Sequence, residues 1–289
     1  MIPVLARTRA ELAAARGSMS GPVVLVPTMG ALHDGHRALL RRARQVASPN
    51  GSVLVSVFVN PLQFGPDEDF ARYPRSLDTD VAVCGEEGAA VVFAPDHAQM
   101  YPAAQLITVD PGPMGQVLEG KSRPGFFAGV LTVVLKLFQL ARPDAAVFGE
   151  KDAQQLALVR RMTADFALGV EIVPEPIVRD SGGLAISSRN AYLSGPERTA
   201  ALALSRALLA GQQQAHAGPA ATLAAAHTVL QAAAAADPPL RPDYLALVDP
   251  GTFDEVTDDY RGPALLLAAG RAGLTRLIDN AALLIDGPQ

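Results

Sequence analysis

Two histidines that lie three residues apart, His33 and His36, follow a short apolar run near the start of the chain. The apolar run, Val23–Val26, is typical of a buried parallel strand, and Arg37–Arg44 has the composition of a helix that Asp34 could cap. Both imidazoles are therefore expected at a helix amino terminus, where unpaired N–H groups and the helix dipole attract anions. The pattern predicts that the two side chains bind a phosphate and stabilise charge that develops on it, as in attack on the α-phosphate of a nucleotide.

Two other interpretations of the histidine pair are a zinc site and an ordinary helix surface. Zinc takes three or four protein ligands, and the chain offers only Cys84 and three further, scattered histidines in addition to the pair. This ligand set disfavours zinc. Because two histidines at this spacing alone are a weak signal, the functional interpretation depends on the motifs that accompany them.

Composition limits the class of protein. The chain has 289 residues, a net charge of −5 at pH 7 and a hydrophobic fraction of 49%, which is enough for a substantial core. The negative charge disfavours nucleic acid or an anionic membrane as the main partner. One cysteine excludes an internal disulfide and is typical of a reducing compartment. The amino terminus does not resemble a signal peptide, and the longest apolar run, Val130–Leu140, is too short to cross a bilayer. We therefore expect a cytoplasmic protein.

Strand-like and helix-like runs alternate through the first 176 residues, which predicts an α/β fold with a Rossmann-like parallel sheet and helices on both faces. The strand-like runs are Val23–Val26, Ser52–Val59, Ala89–Phe93, Ala145–Phe148 and Val170–Val173, and the further helix-like runs are Asp78–Glu87, Phe127–Leu140 and Gln154–Phe166. In such folds ligands bind beyond the carboxyl ends of the strands.

The run Pro174–Pro176 interrupts this alternation and predicts a boundary between domains 1–176 and 177–289. Beyond it, the alanine-rich segment Ala200–Ala236 predicts two helices, and three short apolar runs predict a small sheet. The second domain is thus expected to be a smaller α+β domain. We expect it to act as a lid over a nucleotide held in a cleft between the domains.

Several polar residues fall at predicted strand ends. Asn60 and Gln63 follow one strand, and Glu150 and Lys151 follow another. A lysine at such a position can hold a phosphate oxygen, although a solvated helix-end charge is the commoner role. Ser187–Asn190 combines hydroxyls with a guanidinium after two glycines, which is typical of a mobile phosphate-binding loop and equally of a surface turn.

A further segment, Gly115–Ser122, matches the P-loop pattern G-x-x-x-x-G-K-[ST]. A P-loop directly follows its strand, and its Lys-Ser pair opens a helix. Here two prolines precede the match, and Pro124-Gly125 disfavours a helix that begins at Lys121. We therefore do not assign a phosphate-binding role to this segment.

Taken together and in this order, the motifs resemble the pantoate–β-alanine ligase family. They are Pro27–His36, Val57–Phe64, Tyr73–Arg75, Arg123-Pro124 with Phe127–Val130, Phe148–Asp152 with Gln154-Gln155, and Ser187–Asn190. The resemblance extends over nearly the whole chain. It places the fold among the nucleotidyltransferases, which share it with class I aminoacyl-tRNA synthetases.

The resemblance implies a two-step ligation of (R)-pantoate and β-alanine, with ATP as a substrate, Mg²⁺ as a cofactor and pantoyl adenylate as the intermediate. The partners implied are small molecules only, and the exposed apolar surface expected of the first domain predicts a homodimer. The catalytic residues implied are His33, His36, Lys151 and Arg189. The ATP-binding residues implied are Met29, Gly30, His33, His36, Gly149, Glu150, Lys151, Asp152, Val178, Ile186, Ser187, Ser188 and Arg189. Asn60, Gln63, Tyr73 and Gln155 would bind pantoate or β-alanine, and Asp80 would bind metal.

The sequence departs from the family pattern in three places. Phe126 stands where the family usually has histidine, so a polar contact is missing there, and Lys121 or Ser122 could replace it. Ile186 takes the place of a methionine. Thr79-Asp80 represents a pair of polar or acidic residues, so a metal role rests on Asp80 alone.

Two alternatives of other kinds remain open. A nucleotidyltransferase of the same fold that acts on a phosphate acceptor would need cations where Gln63 and Gln155 stand. A catalytically inactive binding protein would not need His33, His36, Lys151 and Arg189 together.

Overall fold

The structure, a computed structural model, describes residues 2–66 and 69–286 and divides into two compact units. The first unit ends at Pro176, and the second begins at Ile177 and also includes Lys151–Ala153. The predicted domains, 1–176 and 177–289, differ from this division at that short segment. Residues 1, 67–68 and 287–289 of the predicted ranges lie outside the described part of the chain.

The described residues form nine strands and nine α-helices. The strands are β1 Val4–Ala6, β2 Val23–Thr28, β3 Ser52–Val57, β4 Val91–Phe93, β5 Ala145–Gly149, β6 Glu171–Glu175, β7 Leu240–Val248, β8 Gly262–Ala272 and β9 Thr275–Ile285. The helices are α1 Arg9–Gly17, α2 Asp34–Ala47, α3 Leu77–Glu86, α4 His97–Met100, α5 Glu119–Ser122, α6 Phe126–Ala141, α7 Ala153–Asp165, α8 Gly195–Gln213 and α9 Pro219–Ala234. None of these helices combines the length and the apolar character needed to cross a membrane.

The first unit contains a six-stranded parallel sheet in the order β1-β4-β3-β2-β5-β6. Alternate strand residues point to opposite faces, and each face has its own apolar core. Val23 and Leu25 contribute to the core that contains buried residues of α1, α6 and α7. Val24 and Val26 contribute to the core that contains residues of α2 and α3. The predicted Rossmann-like sheet with helices on both faces is therefore confirmed.

The strand order places a topological switch point between β2 and β5. From β2 the chain continues to β3 and β4 on one side, whereas β5 and β6 lie on the other. Loops that leave the carboxyl ends of two such strands diverge and open a crevice, which is where ligands bind in this class of sheet. The loop after β2 carries His33 and His36, and β5 ends at Gly149.

Three local features differ from the sequence predictions. Strand β1 and helix α1 were not predicted. Strand β6 continues through Pro174 as far as Glu175, because an edge strand can accommodate proline without losing an inner hydrogen bond. Asp34 is the first residue of α2, and His33, in extended conformation, holds the N-cap position instead.

The second unit contains a three-stranded antiparallel sheet, β7-β8-β9, and the helices α8 and α9. Apolar residues of both helices and all three strands form one core, which includes Leu204, Leu208, Leu230 and Leu266. The alanine-rich segment is therefore two ordered helices, because its regularly spaced leucines give each helix an apolar face. This arrangement confirms the predicted smaller α+β domain.

Helix α6 approaches the segment Pro61–Gln63 so closely that only glycine fits at position 129. A β-carbon built on Gly129 would lie 2.1 Å from the carbonyl oxygen of Leu62 and 2.8 Å from the backbone nitrogen of Gln63. Because these neighbours are backbone atoms, they cannot move without shifting the whole segment. Gly129 thus allows α6 to support the loop that follows β3.

We expect Gly129→Ala to lower the free energy of unfolding by about 1–3 kcal/mol, the usual cost of overpacking a rigid site. Urea denaturation would measure it. Gly17→Ala is the matched control, because a β-carbon on Gly17 would meet nothing within 4 Å. The control should change stability by less than about 1 kcal/mol. Equal stability of the two variants would contradict the close approach.

Candidate active site

The turn between β2 and α2 is held by side chains that bind its backbone amides one after another. The Gly30 amide donates to Thr28 Oγ1 (3.2 Å). The Ala31 and Leu32 amides donate to the two carboxylate oxygens of Asp80, at 3.1 and 2.8 Å. The His33 amide donates to Nδ1 of His36 (3.3 Å). Four consecutive amides in a segment without regular structure are thereby satisfied.

Asp80 imposes the conformation of this turn. The side chain lies in α3, is 1% exposed, and also accepts a hydrogen bond from Ser76 Oγ (3.4 Å). Gly30 and Ala31 both have positive φ, +85° and +52°. A β-carbon on Gly30 would lie 2.9 Å from Asp80 Oδ2. Glycine is required there, and the two hydrogen bonds offset the strain of a left-handed alanine.

The two imidazoles lie against each other at the amino terminus of α2, with ring centroids 4.1 Å apart and planes inclined by 37°. Because Nδ1 of His36 accepts the His33 amide hydrogen, a neutral His36 carries its proton on Nε2. Gly35 makes room for the other ring, since a β-carbon there would lie 3.0 Å from Cε1 of His33. A side chain at the glycine of the H-x-G-H motif would therefore crowd the His33 ring.

Asn60 and Gln63 lie at the end of β3 and are joined by a hydrogen bond from Asn60 Nδ2 to Gln63 Oε1 (3.1 Å). Asn60 is 1% exposed, and its amide also bonds to backbone groups and to Tyr101. This burial favours a supporting role for Asn60 over the direct substrate contact predicted from the sequence. Gln63 Nε2 lies 3.0 Å from the sulfur of Met29, so Gln63 meets the turn that carries the histidines.

Gln154 and Gln155 are neighbours in α7 with different environments. Gln154 is buried, accepts the Glu119 amide hydrogen (3.1 Å) and donates to the carbonyls of Met114 and Val117 at 2.7 and 2.9 Å. It therefore fastens the P-loop-like segment. Gln155 is half-buried and is the one of the two that can meet a ligand.

The P-loop-like segment uses its own amides internally. The Gly120 amide bonds to the Val117 carbonyl, the Ser122 amide to the Leu118 carbonyl, and the Glu119 amide to Gln154. A phosphate-binding loop needs these groups for its ligand. These internal hydrogen bonds therefore disfavour a phosphate site in this segment.

Two carboxyl groups lie at the ends of the neighbouring strands β5 and β6. Burial raises the pKa of the Glu175 carboxyl, Arg42 opposes the rise, and the nearby Glu150 carboxylate adds to it. Carboxylates accept hydrogen bonds and repel phosphate, so this corner favours hydroxyl groups of a ligand such as those of a ribose. Gly149 is half-buried beside Glu150.

Tyr73 and Phe126 take part in aromatic contacts. Tyr73 is buried, with its ring edge-on to Phe64 at a centroid distance of 5.9 Å. The guanidinium carbon of Arg123 lies 3.6 Å above the centre of the Phe126 ring, and Arg123 donates to the Gln63 carbonyl (3.2 Å). Where the family usually has histidine, this chain therefore has an arginine stacked on phenylalanine.

In the second unit, Lys151 is held through its backbone. Its carbonyl accepts a hydrogen bond from Asn280 Nδ2 in β9 (3.0 Å), and its ammonium lies 3.8 Å from the Asp152 carboxylate. The neighbouring Asp279, which is buried, forms a two-pronged ion pair with Arg179 at 2.6 and 2.9 Å. Two adjacent residues of β9 thus fix both Lys151 and the backbone next to Val178.

Val178 and Ile186 are paired across a small hairpin, with the Ile186 amide donating to the Val178 carbonyl (2.9 Å). Gly182 and Gly183 form its turn, where the Asp180 carboxylate accepts the Gly182 amide hydrogen (2.8 Å). Beyond the hairpin, Ser187 caps a short 3-10 helix, Ser188–Tyr192, by accepting the Arg189 amide hydrogen (3.3 Å). All of Ile186, Ser187, Ser188 and Arg189 are half-buried.

The metal role predicted for Asp80 gains no support from its contacts, because both carboxylate oxygens accept backbone amides. Among residues 2–66 and 69–286, no group of three His, Cys, Asp or Glu side chains could hold a metal ion. The role remains a prediction. A magnesium ion that takes most of its ligands from phosphate oxygens would need few protein ligands.

The single cysteine takes no part in this chemistry. Cys84 is fully buried in α3, and burial, with a smaller contribution from the Asp80 carboxylate, raises the pKa of its thiol to about 12. A thiol that stays protonated is neither a nucleophile nor a metal ligand.

The sequence did not reveal the residues that hold other residues in place through hydrogen bonds. Tyr101 and Asn280 each bind a predicted site residue from a distant position, and Gln154 binds the P-loop-like segment. Only Gln154 gave a signal, as one of a Gln-Gln pair; Tyr101 and Asn280 belong to no recognisable motif.

We expect Asp80→Asn to lower the free energy of unfolding by about 1–3 kcal/mol, because the new amide accepts only one of the two backbone N–H groups and leaves the other unsatisfied. Asp78→Asn, an exposed change in the same helix, is the control and should stay within about 0.5 kcal/mol of the parent in its free energy of unfolding.

Urea unfolding with and without MgCl₂ tests whether Asp80 binds a metal ion. Stabilisation by Mg²⁺ in the parent but not in Asp80→Asn would make Asp80 a metal ligand.

Comparison with known proteins agrees with this geometry. A family model described as Pantoate-beta-alanine ligase matches residues 2–282. The chain is 62% identical over 287 residues to a pantothenate synthetase from Thermobifida fusca, covering 97% of this chain and 96% of that protein. It is 55% identical over 283 residues to the pantothenate synthetase from Acidothermus cellulolyticus, covering 96% and 91%.

Solved structures give the same result. The crystal structure of pantothenate synthetase from Thermus thermophilus superposes with a TM-score of 0.89 at 46% identity, covering 99% of this chain and all (100%) of that one. The pantoate–β-alanine ligase from Francisella tularensis, in complex with Beta-gamma ATP and β-alanine, gives a TM-score of 0.78 at 30% identity, covering 99% of both chains. The family model spans nearly the whole chain, and the similar proteins match it over nearly their whole length. The chain belongs to the pantoate–β-alanine ligase family, a family of ligases.

Proposed function

We propose that this chain joins (R)-pantoate to β-alanine with the energy of ATP, through a pantoyl adenylate. A pantoate carboxylate oxygen attacks the α-phosphorus and the bond to pyrophosphate breaks. The β-alanine amine then attacks the acyl carbon, AMP leaves, and the amine loses a proton as the amide forms. The observation that carries the proposal is the locked turn after β2, which presents His33 and His36 at the switch point of the sheet in a chain of this family.

The proposed catalytic residues are donors of positive charge or hydrogen bonds. Nε2 of His36 carries the proton that would be donated to a phosphate oxygen, since Nδ1 is already an acceptor. We assign the same kind of role to His33, Lys151 and Arg189. Preorganised donors of this kind stabilise charge that develops in a transition state without having to reorganise.

Binding of ATP is supported by the Francisella tularensis relative, which was crystallised with Beta-gamma ATP. By the family resemblance we assign the nucleotide contacts to thirteen residues. They are Met29, Gly30, His33, His36, Gly149, Glu150, Lys151, Asp152, Val178, Ile186, Ser187, Ser188 and Arg189. Mg²⁺ would neutralise charge on the phosphate oxygens, which would themselves supply most of its ligands.

Pantoate binding is assigned to Gln63, Gln155 and Tyr73, with Asn60 supporting Gln63. Neutral amides can bind hydroxyl and carboxylate oxygens without adding charge. The alternative, transfer of a nucleotidyl group to a phosphate acceptor, would need cations at these positions, and both are glutamines. The observed side chains therefore favour an organic acid.

One experiment separates these functions. Purified protein is incubated with ATP, MgCl₂ and pantoate, with and without β-alanine, and exchange of labelled pyrophosphate into ATP is followed together with AMP release. Exchange that needs pantoate but not β-alanine is expected. Its absence at saturating substrates would contradict the adenylate, and activity only with a phosphorylated acceptor would favour the alternative.

We expect His36→Ala and Lys151→Ala each to slow adenylate formation by ~10²–10³, which corresponds to about 2.7–4 kcal/mol for one preorganised donor. Rapid-quench measurement of adenylate would show this effect. His216→Ala, which removes an exposed histidine in the second unit, is the control and should leave the rate unchanged. A variant that adenylates pantoate at the parent rate would remove its residue from the mechanism.

Two further expectations stay predictions. A homodimer is expected from the apolar surface of the first domain, and sedimentation of the purified chain would detect it. Localisation in the cytoplasm is expected from the composition and the single cysteine.

A further inference from the structure

A chain of buried hydrogen bonds leads from Tyr101 to the proposed pantoate contact Gln63. The Tyr101 hydroxyl donates to Asn60 Oδ1 (2.8 Å), and Asn60 Nδ2 donates to Gln63 Oε1 (3.1 Å). All three residues are buried in the first unit. Tyr101 follows α4, 41 residues along the chain from Asn60 and outside every motif that the sequence offers.

The orientation of the Asn60 amide follows from its two backbone partners. Its Oδ1 accepts the Leu62 amide hydrogen (3.3 Å), and its Nδ2 donates to the Gly129 carbonyl (3.1 Å). A backbone N–H can only donate and a carbonyl can only accept, so the flipped amide would face a donor with a donor and an acceptor with an acceptor. Oδ1 must therefore point towards Tyr101, which has to be the donor.

The same reasoning fixes Gln63. Because Asn60 presents Nδ2 to it, the Gln63 side chain must turn Oε1 towards Asn60. Its Nε2 then points away from Asn60 and lies 3.0 Å from the sulfur of Met29, a weak acceptor that a ligand oxygen can replace. Gln63 consequently offers hydrogen-bond donors, which suit the hydroxyl and carboxylate oxygens of an acid and not an ammonium group.

We propose that Tyr101 is a positioning residue for the acid substrate: through Asn60 it holds the Gln63 amide with Nε2 turned towards pantoate. The inference rests on the proposed binding of pantoate by Gln63. Tyr101 itself is built in firmly, with the Lys136 ammonium 4.4 Å from its ring centre and the His97 ring at 5.5 Å.

The Tyr101 hydroxyl also keeps its proton. Burial raises the pKa of Tyr101 to about 12, so the phenol is a donor throughout the neutral range. When the hydroxyl is removed, Asn60 Oδ1 retains only the longer bond from Leu62. The Asn60 amide then keeps the orientation that Leu62 and Gly129 set, but it is held less firmly, and so is the Gln63 amide bonded to it.

Two variants test the two steps of the inference. Tyr101→Phe keeps the ring and removes the donor, and it should raise the KM for pantoate roughly 3- to 10-fold, the effect of one lost hydrogen bond, with the KM for ATP unchanged.

Gln63→Glu keeps an acceptor for Asn60 but presents an oxygen to the substrate. It should weaken pantoate binding more than Gln63→Ala does, because it sets a negative charge against a carboxylate.

Tyr101→Phe in the Gln63→Ala background provides the test of coupling. If Tyr101 acts through Gln63, the second change should add nothing to the KM for pantoate. Tyr260→Phe is the matched control, since that hydroxyl also has hydrogen-bond partners, Asp249 and the Pro263 carbonyl, in the second unit. An unchanged KM in Tyr101→Phe, or effects that add, would overturn the inference.

A readout without substrate separates this inference from the proposed function. In ¹⁵N-labelled protein the side-chain amide resonance of Gln63, identified by its loss in Gln63→Ala, should shift or broaden in Tyr101→Phe and stay in place in Tyr260→Phe. An unmoved resonance would refute positioning by Tyr101. Parent protein that shows no pantoate-dependent pyrophosphate exchange would refute the proposed function instead.

Discussion

The two hydrogen bonds from the Ala31 and Leu32 amides to the Asp80 carboxylate set the geometry on which the candidate site depends. They stabilise two successive left-handed residues, and they bring the chain out of β2 at the angle that α2 needs. A carboxylate buried to this extent would be costly without such partners. The histidines are therefore positioned by a residue of α3 that does not belong to their own motif.

Hydrogen bonds from a buried polar side chain hold distant parts of the chain in place at other points of the molecule as well. Buried amide side chains hold other groups of the chain in place through their hydrogen bonds. Asn60 does so for Gln63, Gln154 for the segment that ends at Ser122, and Asn280 for Lys151. Each buried amide thereby fixes the position of the group that it binds.

Much of the fold could be predicted from the sequence because it follows from local patterns. Runs such as Val23–Val26 and the leucine spacing in α8 and α9 define the elements without reference to distant residues. The histidine pair was found for the same reason. Short elements such as β1 escaped prediction, since three residues carry too little periodicity to be recognised.

The supporting residues could not be predicted, because their significance lies in contacts between distant positions. Asp80 was noticed only as a candidate metal ligand in the family pattern, because its hydrogen bonds to the Ala31 and Leu32 amides join positions 49 and 48 residues apart. Tyr101 and Asn280 are ordinary residues of their elements in sequence. Strand β6 shows the converse: Pro174 indicated an interruption, and only the edge position of the strand explains why it continues.

Because the turn depends on Asp80, the H-x-G-H segment alone would not keep its conformation in another protein. The segment Pro27–His36, copied from this chain into another parallel sheet, would bring the two imidazoles and their glycines. It would not bring the carboxylate, which is supplied from a helix 48 and 49 residues further along the chain. In the new setting, the Ala31 and Leu32 amides would turn to water and the turn would relax. An exchange of this turn between such folds would therefore have to include α3 as well.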